Sequence, residues 1–150
     1  MGSGSEIEIR LMNAEDKIQW ARMRLCLWPS TPIEEHLSQI EEFFGHPAFC
    51  AWVVEAGGEP VGFAEAYIRP HANGCKSRPA PFLEGVWIRP DLRRKNLGRS
   101  LVEAVIAWAR EKGFFELGSD AAVDDEGAID AHLHWGFVET QRVVYFRKAL

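Results

Sequence analysis

The chain has 150 residues, of which 47% are hydrophobic and 26% charged, and its formal net charge at pH 7 is −5. This size and composition favour one globular domain with its own apolar core, and the acidic balance argues against nucleic acid as a partner, because a phosphate backbone requires a basic face. No apolar run approaches the roughly 20 residues of a membrane-spanning helix and no signal peptide is recognised, so the sequence predicts a cytoplasmic protein with no membrane partner.

The first five residues, MGSGS, are typical of an expression-tag remnant, and we assign the domain to residues 6–150. The chain has three cysteines, Cys26, Cys50 and Cys75. Their odd number and the absence of metal-ligand spacing fit a reducing compartment and small packed side chains. His132 and His134 are two positions apart on a predicted helix, so they cannot share a face, and the sequence predicts no metal site.

Apolar periodicity, turn residues and caps predict a β-α-α-β-β-β-α-β-α-β series, an α+β fold with a mixed sheet. The N-terminal elements are a strand from Ile7 to Met12, helices from Asn13 to Trp28 and from Thr31 to Phe44, and a hairpin of Phe49 to Glu55 with Pro60 to Ile68. A loop from Arg69 to Pro81, a strand from Phe82, a helix after Gly98, a strand from Phe114 to Gly118, a helix from Asp124 to Trp135 and closing strands from Val138 to Lys148 follow.

The segment from Phe82 to Ser100 carries the strongest functional signal. Its apolar strand ends at Arg89-Pro90 and leads through a basic run into a helix; the residues of that run and its turn are Arg93, Arg94, Lys95, Asn96, Leu97 and Gly98. Amides at a helix N-terminus lack intrahelical partners and carry partial positive charge, so they bind anions, and neighbouring cations strengthen the site. Asn96 and Gly98 can both adopt the left-handed backbone that such a loop needs. The segment therefore predicts a pyrophosphate cradle, with a solvated basic turn as the alternative.

This segment resembles motif A of the GNAT superfamily of acetyl-CoA-dependent N-acetyltransferases, Gln/Arg-x-x-Gly-x-Gly/Ala between the fourth strand and the third helix, with Asn96 in place of the first glycine. A second run is similar to the superfamily's Asn-x-x-Ala-x-x-x-Tyr-x-x-x-Gly-Phe. Its matching positions are Asp125, Ala128, His132, Gly136 and Phe137. The resemblance implies the GNAT fold, a mixed, mostly antiparallel β-sheet flanked by about four helices, with acetyl-CoA in the cleft between strands 4 and 5.

The resemblance also implies how acetyl-CoA binds. The pyrophosphate is expected on the amides of Arg94 to Arg99, with Arg93 and Arg94 near the nucleotide phosphates. The pantetheine arm is expected to pair, like an added strand, with the main chain of the fourth strand, and Asp125 to accept a bond from the arm. The expected coenzyme-binding residues are Val86, Trp87, Ile88, Arg93, Arg94, Lys95, Asn96, Leu97, Gly98, Arg99 and Asp125.

Two acids point to the second substrate. Glu84 interrupts an apolar strand, where a carboxylate needs a partner, and an ion pair with an arginine is the structural alternative to a functional role. Asp120 follows a short strand at the end of the sheet where the cleft is expected, and a turn or cap residue is its alternative. Two carboxylates near the acetyl group suit a cationic amine, which binds charged and must lose a proton before attack.

Nearly the whole chain, from Ile7 to Leu150, also resembles the aminoglycoside 6′-N-acetyltransferases. The resembling pieces include Leu27-Trp28-Pro29, Asn73-Gly74-Cys75, Phe82-Leu83-Glu84-Gly85 and Glu139-Thr140-Gln141-Arg142-Val143. This resemblance implies an acidic pocket for a polycationic antibiotic, formed by Glu84 and Asp120. Trp28 is expected as a pocket wall or as a core tryptophan, and His71 and Gln141 occupy pocket positions.

The implied activity is acetyl transfer from acetyl-CoA to the 6′-amine of an aminoglycoside in a ternary complex. Asp120 is expected to accept the proton, directly or through water, and Glu84 to hold neighbouring amines or share the base role. His132 either protonates the departing thiolate or is structural. Two alternatives stay open: a GNAT enzyme for a polyamine, another small amine or a protein N-terminus, and a non-catalytic acetyl-CoA-binding module. A homodimer is also expected, because the loop 69–81 and the last strands offer edges for pairing.

Overall fold

The structure is a computed structural model that describes residues 4–150. Residues 1–3 lie outside the described part, so the expected tag remnant is described only at Gly4 and Ser5. The chain forms two compact units, one that ends at Ser119 and one from Asp120 to Leu150. Among the described residues, no helix is long and apolar enough to cross a membrane.

The first unit contains a five-stranded sheet in the order β1-β2-β3-β4-β5, in which only the β4–β5 pair is parallel. Its elements are β1 (Ile7–Leu11), α1 (Lys17–Leu27), α2 (Ile33–Phe43), β2 (Phe49–Ala56), β3 (Glu59–Arg69), β4 (Ala80–Ile88), α3 (Leu97–Glu111) and β5 (Gly118–Ser119). Short 3₁₀ turns at Ala14–Asp16 and Pro90–Leu92 precede α1 and α3, and the second unit contains α4 (Glu126–His134). The expected mixed, mostly antiparallel GNAT sheet with four helices is confirmed.

Local chemistry accounts for where the helices begin. The Asn13 side chain accepts a hydrogen bond from the Glu15 amide, and the Asp16 carboxylate accepts one from the Asn13 amide, so a capping box opens the first helical segment. Pro32 precedes the first turn of α2, where its fixed φ costs nothing. The apolar face of α3 is buried through Leu97, Leu101, Val102, Val105 and Ala109.

The core that supports the site lies where α1 and α2 pack on the sheet. Trp20, Ile40 and Phe63 are fully buried there, and the partly buried Leu27 and Trp28 pack against them. Burying one large apolar side chain stabilises the fold by about 1.5–3 kcal/mol, so this cluster fixes both helices against β2 and β3. One wall of any pocket that opens beside Trp28 is therefore rigid.

A β-bulge interrupts the pairing of β3 with β4. Glu65 pairs with Gly85 and Ala66 pairs with Leu83, so Glu84 is an extra residue with no partner in register. A bulge redirects the side chain of the extra residue and bends its strand. The apolar run that made Glu84 conspicuous in the sequence is thus irregular at that residue.

Three expectations about the strands need correction. The closing strands predicted from Val138 to Lys148 are wrong: no ladder among the described residues includes them, and residues 138–148 are all exposed. The β-branched and aromatic residues at 143–146 suit a strand, but a strand also needs a backbone partner. The strand predicted from Phe114 to Gly118 is reduced to the two residues of β5, and Arg69 ends β3 rather than opening the loop.

Candidate active site

A pocket of about 550 Å³ opens beside the end of α1 in the first unit. It is lined by Arg24, Trp28, Thr31, His36, Gln39, Glu42, Phe43, Phe49, Glu65, Tyr67 and Glu84. The lining combines aromatic rings with three carboxylates, a composition suited to a cation that carries apolar or sugar-like surface. Of the residues predicted to bind the acceptor, Trp28 and Glu84 line this pocket.

The floor of the pocket is a buried ionic network around Glu65. Its carboxylate accepts hydrogen bonds from the Arg24 guanidinium and from the Trp20 indole N–H, the latter at 2.9 Å. Glu65 is only 3% exposed, so burial raises the pKa of its carboxyl, and the Arg24 charge and the Trp20 hydrogen bond act in the opposite direction. Because the charge is fully paired, this carboxylate serves the structure of the pocket rather than a ligand.

Two further residues complete that network from α2. Arg24 donates from Nε to His36 Nδ1 at 3.2 Å and from a terminal nitrogen to the Gln39 side-chain oxygen. Since His36 Nδ1 accepts, its Nε2 carries the proton and donates to the Trp28 carbonyl at 3.2 Å. His36 is therefore a neutral, oriented bridge between α2 and the end of α1.

Trp28 is held on several sides, which makes it a fixed wall. The Arg24 guanidinium lies 5.0 Å from its ring, the His36 ring stacks at 6.3 Å, and Phe63 meets it edge to face. A Cβ atom placed on Gly85 would come within 2.6 Å of the Trp28 ring, so only glycine permits this approach to β4. Trp28 is both the predicted pocket wall and a member of the core, and the two interpretations of the sequence coexist.

Glu84 lies opposite this wall and has an arginine partner. Arg69 donates to it twice, from Nε to Oε1 at 2.8 Å and from Nη2 to Oε2 at 2.6 Å. The Arg69 guanidinium also stacks 3.8 Å from the centre of the Phe82 ring. The ion pair that the sequence offered as an alternative for Glu84 is present, together with the position in the pocket.

The main chain of β4 beyond the bulge has an open edge. Arg89 donates its amide to the Val61 carbonyl at 2.8 Å, so by the alternation of an antiparallel ladder Trp87 also points its N–H and C=O toward β3, while Val86 and Ile88 point theirs away. On that far side, β5 pairs with β4 only at Phe82 and Leu83. Within residues 4–119 no strand covers the edge at Val86, and the Arg93 side chain donates to the Ile88 carbonyl at 2.9 Å.

The loop that follows β4 adopts the geometry of an anion cradle. Arg94 and Asn96 both have φ of 62°, and Asn96 immediately precedes the first turn of α3. Left-handed residues beside helical ones direct successive amides into one concavity, which the N-terminus of α3 extends. These residues fit a pyrophosphate. The left-handed turn predicted at Asn96 is found, whereas Gly98 lies within the helix and Arg94 supplies the second left-handed position.

The second unit holds the remaining predicted site residues. Asp125 caps α4, accepting from the Ala128 amide at 3.0 Å, and Asp120 and Gln141 are exposed. His132 Nδ1 lies 2.7 Å from the Ala128 carbonyl, so that nitrogen carries the proton. The roles of these residues stay predictions. His71, in the first unit, is exposed in the loop after β3 and does not line the pocket, so its role also stays a prediction.

Sequence reasoning missed several residues of the pocket. Glu65 carried the same signal as Glu84, a carboxylate within an apolar strand, and could have been found in that way. Arg24 and Tyr67 gave no comparable signal, since their burial depends on how α1 meets the sheet. Among residues 4–150, no group of three or more His, Cys, Asp or Glu residues could hold a metal ion.

The chain is similar to known proteins in both sequence and structure. Residues 17–137 match the model of the acetyltransferase (GNAT) family. The chain is 43% identical over 145 residues to an aminoglycoside N(6′)-acetyltransferase type 1 of Stenotrophomonas maltophilia, an alignment that covers 95% of this chain and 93% of the relative.

Two crystal structures are also similar along almost the whole chain. One is an aminoglycoside N-acetyltransferase, AAC(6′)-Iy, in complex with CoA, with a TM-score of 0.93, 35% identity and coverage of 100% and 99% of the two chains. The other is the same enzyme with the bisubstrate analogue CoA-S-monomethyl-acetylneamine, with a TM-score of 0.91, 35% identity and coverage of 97% and 100%. With the matched family model and these identities, the chain belongs to the acetyltransferase (GNAT) family.

Proposed function

We propose that this acetyltransferase transfers the acetyl group of acetyl-CoA to the 6′-amine of aminoglycoside antibiotics. The observation that carries the proposal is the arrangement on β4: the Glu84 carboxylate lines an acidic pocket, and two residues later the Val86 main chain lies on an open edge. An amine held by the first feature is thereby close to a thioester held by the second. The names of the relatives and the CoA and bisubstrate ligands of the similar structures support the same pairing of substrates.

Acetyl-CoA, the acetyl donor as a thioester, is proposed to bind along the β4 edge and the loop before α3. The Val86 and Ile88 main chain pairs with the pantetheine arm, and the amides of residues 94–99 bind the pyrophosphate. Arg93, whose Nε is engaged by the Ile88 carbonyl, links the two parts of this site. Asp125 and Trp87 complete the proposed set of coenzyme-binding residues. Trp87 is included because it lies between Val86 and Ile88, whose main chain pairs with the pantetheine arm.

Asn96 offers a matched test of the cradle. Asn96→Gly keeps the left-handed φ and should leave acetyl-CoA affinity within about twofold, whereas Asn96→Val cannot adopt φ of 62° without strain of roughly 1–3 kcal/mol. We expect Asn96→Val to weaken acetyl-CoA binding about tenfold or more in calorimetry while the protein stays folded. Equal affinities for both folded variants would contradict the placement.

The antibiotic is proposed to bind in the pocket beside Trp28, with its amines toward the carboxylates. Glu84 and Glu42 supply charge at the mouth, Trp28 and Tyr67 supply flat surface, and Glu65 holds the floor. His71 and Gln141 are proposed as further contacts on the strength of the sequence resemblance. The formal net charge of −5 also favours a cationic substrate.

Asp120 is proposed as the general base. It follows Ser119 directly in the chain, and Ser119 pairs with Leu83, the residue before Glu84. The amine loses its proton to this carboxylate, directly or through water, and attacks the thioester carbonyl without a covalent enzyme intermediate. Asp120→Asn should lower kcat by about 10²–10⁴-fold with acetyl-CoA affinity unchanged. Full turnover of this variant across pH 6 to 9 would transfer the role to Glu84 or to water.

A thiol-release assay tests the activity as a whole. Aminoglycosides that carry a 6′-amine, such as kanamycin, should release CoA, and aminoglycosides without that amine should not. Spermidine and peptides with a free N-terminus should give much lower kcat/KM. Preference for spermidine or peptides would identify another acceptor class, and coenzyme binding without transfer to any amine would identify a binding module.

The protein is proposed to act as a cytoplasmic homodimer. Its three cysteines are free thiols, which fits a reducing compartment. Beyond α4 the exposed side chains include Val144, Tyr145 and Phe146, at 77%, 79% and 93%. This run is a continuous apolar stretch of β-branched and aromatic residues, and such a stretch can pair with a second copy. Sedimentation should give twice the monomer mass, and Phe146→Glu should shift it toward the monomer while Phe115→Glu, at another exposed phenylalanine, should not.

A further inference from the structure

The Arg69–Glu84 pair differs from an ordinary surface ion pair in where it lies. Arg69 is the last residue of β3, and it donates one hydrogen bond to each carboxylate oxygen of Glu84, which lines the pocket. Stacking on Phe82, itself only 2% exposed, gives the guanidinium a defined resting place. A cation of the protein is therefore already paired with a carboxylate that lines the pocket.

The other charges of the pocket determine how much the pairing of Arg69 with Glu84 matters to a ligand. The pocket lining contains three carboxylates, those of Glu42, Glu65 and Glu84, and one guanidinium, that of Arg24. Arg24 forms an ion pair with Glu65 and neutralises its charge. The negative charge that can bind a ligand is therefore that of Glu84 and Glu42. With Arg69 in place, the Glu84 charge is compensated before any substrate arrives.

The exposure of the pair permits exchange. The side chains of Arg69 and Glu84 are 36% and 25% exposed, against 6% and 4% for Arg24 and Glu65. A partly solvated guanidinium can rotate into water at low cost, since partly exposed ion pairs contribute little to stability. An ammonium group that enters the pocket can take its place on the carboxylate with the same charge and similar hydrogen bonds.

We infer that Arg69 is a specificity-determining residue: it occupies the Glu84 carboxylate in the absence of substrate and yields it to an amine of a polycationic acceptor. This inference rests on the proposed aminoglycoside function, because both concern the same pocket. A small monoamine has no further contacts to offset the displacement of Arg69, whereas a polycation gains Glu42 and the aromatic walls as well. Arg69 thus favours polycationic acceptors over simple amines.

Four variants test this role: Arg69→Gln, Arg69→Lys, Glu84→Gln and the double variant Arg69→Gln/Glu84→Gln. The measurements are KM and kcat for kanamycin and the calorimetric Kd for kanamycin with CoA present. Arg69→Gln should lower Kd and KM about two- to fivefold and raise kcat/KM for a monoamine such as ethylamine. In the Glu84→Gln background, removal of Arg69 should have no such effect. Arg69→Lys keeps the charge but not the pair of hydrogen bonds to Glu84, so its Kd and KM should lie between those of wild type and Arg69→Gln.

Arg89 provides the matched control. It forms a similar two-point pair with Asp91, at 2.7 and 3.1 Å, its side chain is 38% exposed, and its partner Asp91, unlike Glu84, does not line the pocket. Arg89→Gln makes the same change in net charge and should leave kanamycin affinity unchanged. An equal gain in Arg89→Gln would overturn the inference by assigning the effect to net charge.

The opposite outcomes are equally definite. Weaker or unchanged kanamycin binding by Arg69→Gln would show that Arg69 positions Glu84 instead of competing for it, and would overturn the inference. If Arg69→Gln does not fold, an Arg69→Lys affinity at or below that of wild type overturns it as well. Wild-type protein that binds kanamycin without acetylating it would remove the proposed function, while the Kd comparison would still decide the role of Arg69. No kanamycin binding by any variant would remove both.

Discussion

Two carboxylates on neighbouring strands line the same pocket, and each is paired with an arginine, yet their surroundings differ. The Glu65 and Arg24 side chains are 4% and 6% exposed and are joined by Trp20, His36 and Gln39. Glu84 and Arg69 are 25% and 36% exposed. An ion pair removed from water must keep every partner, whereas a solvated pair can exchange one. The first pair is therefore structural, and the second is available for chemistry.

The largest effect expected from this comparison is on stability at the buried pair. Arg24→Met leaves the Glu65 carboxylate buried without a counter-charge, and removing one partner of such a pair costs about 3–5 kcal/mol. Denaturant unfolding should show this loss, and Arg69→Met should cost less than about 1 kcal/mol. Similar costs for the two variants would remove the distinction between the pairs.

The Trp28 wall, on which Arg24 packs, gives the next effect. Gly85→Ala places a methyl group 2.6 Å from the Trp28 ring, and the resulting overpacking should cost about 1–3 kcal/mol. Tryptophan fluorescence should change with it, and kanamycin KM should rise as the wall shifts. Gly127→Ala, whose added atom meets only Asp125 Oδ1 at 3.6 Å, is the control and should be neutral or slightly stabilising. A neutral Gly85→Ala would show that Trp28 is adaptable.

Glu84→Gln should separate binding from stability. The free energy of unfolding should change by less than about 1 kcal/mol, because the Arg69 pair is partly solvated. Kanamycin KM should rise about tenfold with a smaller change in kcat, since a charge contact to a polycation is mostly uniform binding. Glu116→Gln, in a carboxylate that accepts from the Lys76 and Ser77 amides, should leave KM unchanged. A fall in kcat larger than the rise in KM would instead place Glu84 in proton transfer.

The ion pair of Arg10 with Asp16 lies outside the pocket lining, and its loss should have the smallest effect on stability, one that depends on pH. The Arg10 hydrogen bond lowers the pKa of Asp16 below its ordinary value of 3.8. A carboxyl with a lowered pKa stabilises the fold fully above the ordinary value, and this stabilisation is lost as the pH falls through the lowered one. Asp16→Asn should cost about 1 kcal/mol at pH 7, and the two stability curves should converge in acid. Parallel curves down to pH 2 would contradict the assignment.

The sequence predicted the elements of the first unit well because their signals are local. Asn13 and Pro32 mark the starts of helical segments, and Gly57-Gly58 marks the hairpin between β2 and β3. The strands expected from Val138 to Lys148 were wrong because β-branched and aromatic residues show that a segment can form a strand, not that a partner strand exists. The GNAT family was predicted correctly from two motifs in the right order.

The site was predicted only in part, for physical reasons that particular residues show. Glu84 was found because a charge in an apolar strand is costly without a function or a partner. Arg24 was not found, since an arginine on a helix usually faces solvent and only packing reveals that this one is buried. Gly98 was expected to bend the cradle because glycine can adopt positive φ, but Arg94 does so instead. No intrinsic preference of arginine predicts that choice.

The bulge at Glu84 shifts the register between β3 and β4 by one residue. Glu84 is the residue without a partner on β3, and it is the residue of β4 that lines the pocket, while the backbone after it has the open edge. Deletion of Glu84 should therefore remove the bulge and leave Gly85, Val86 and Trp87 opposite the same β3 residues, so the open edge should stay while the pocket loses a carboxylate. One extra residue thus adds a carboxylate to the pocket without changing how the second half of β4 pairs with β3.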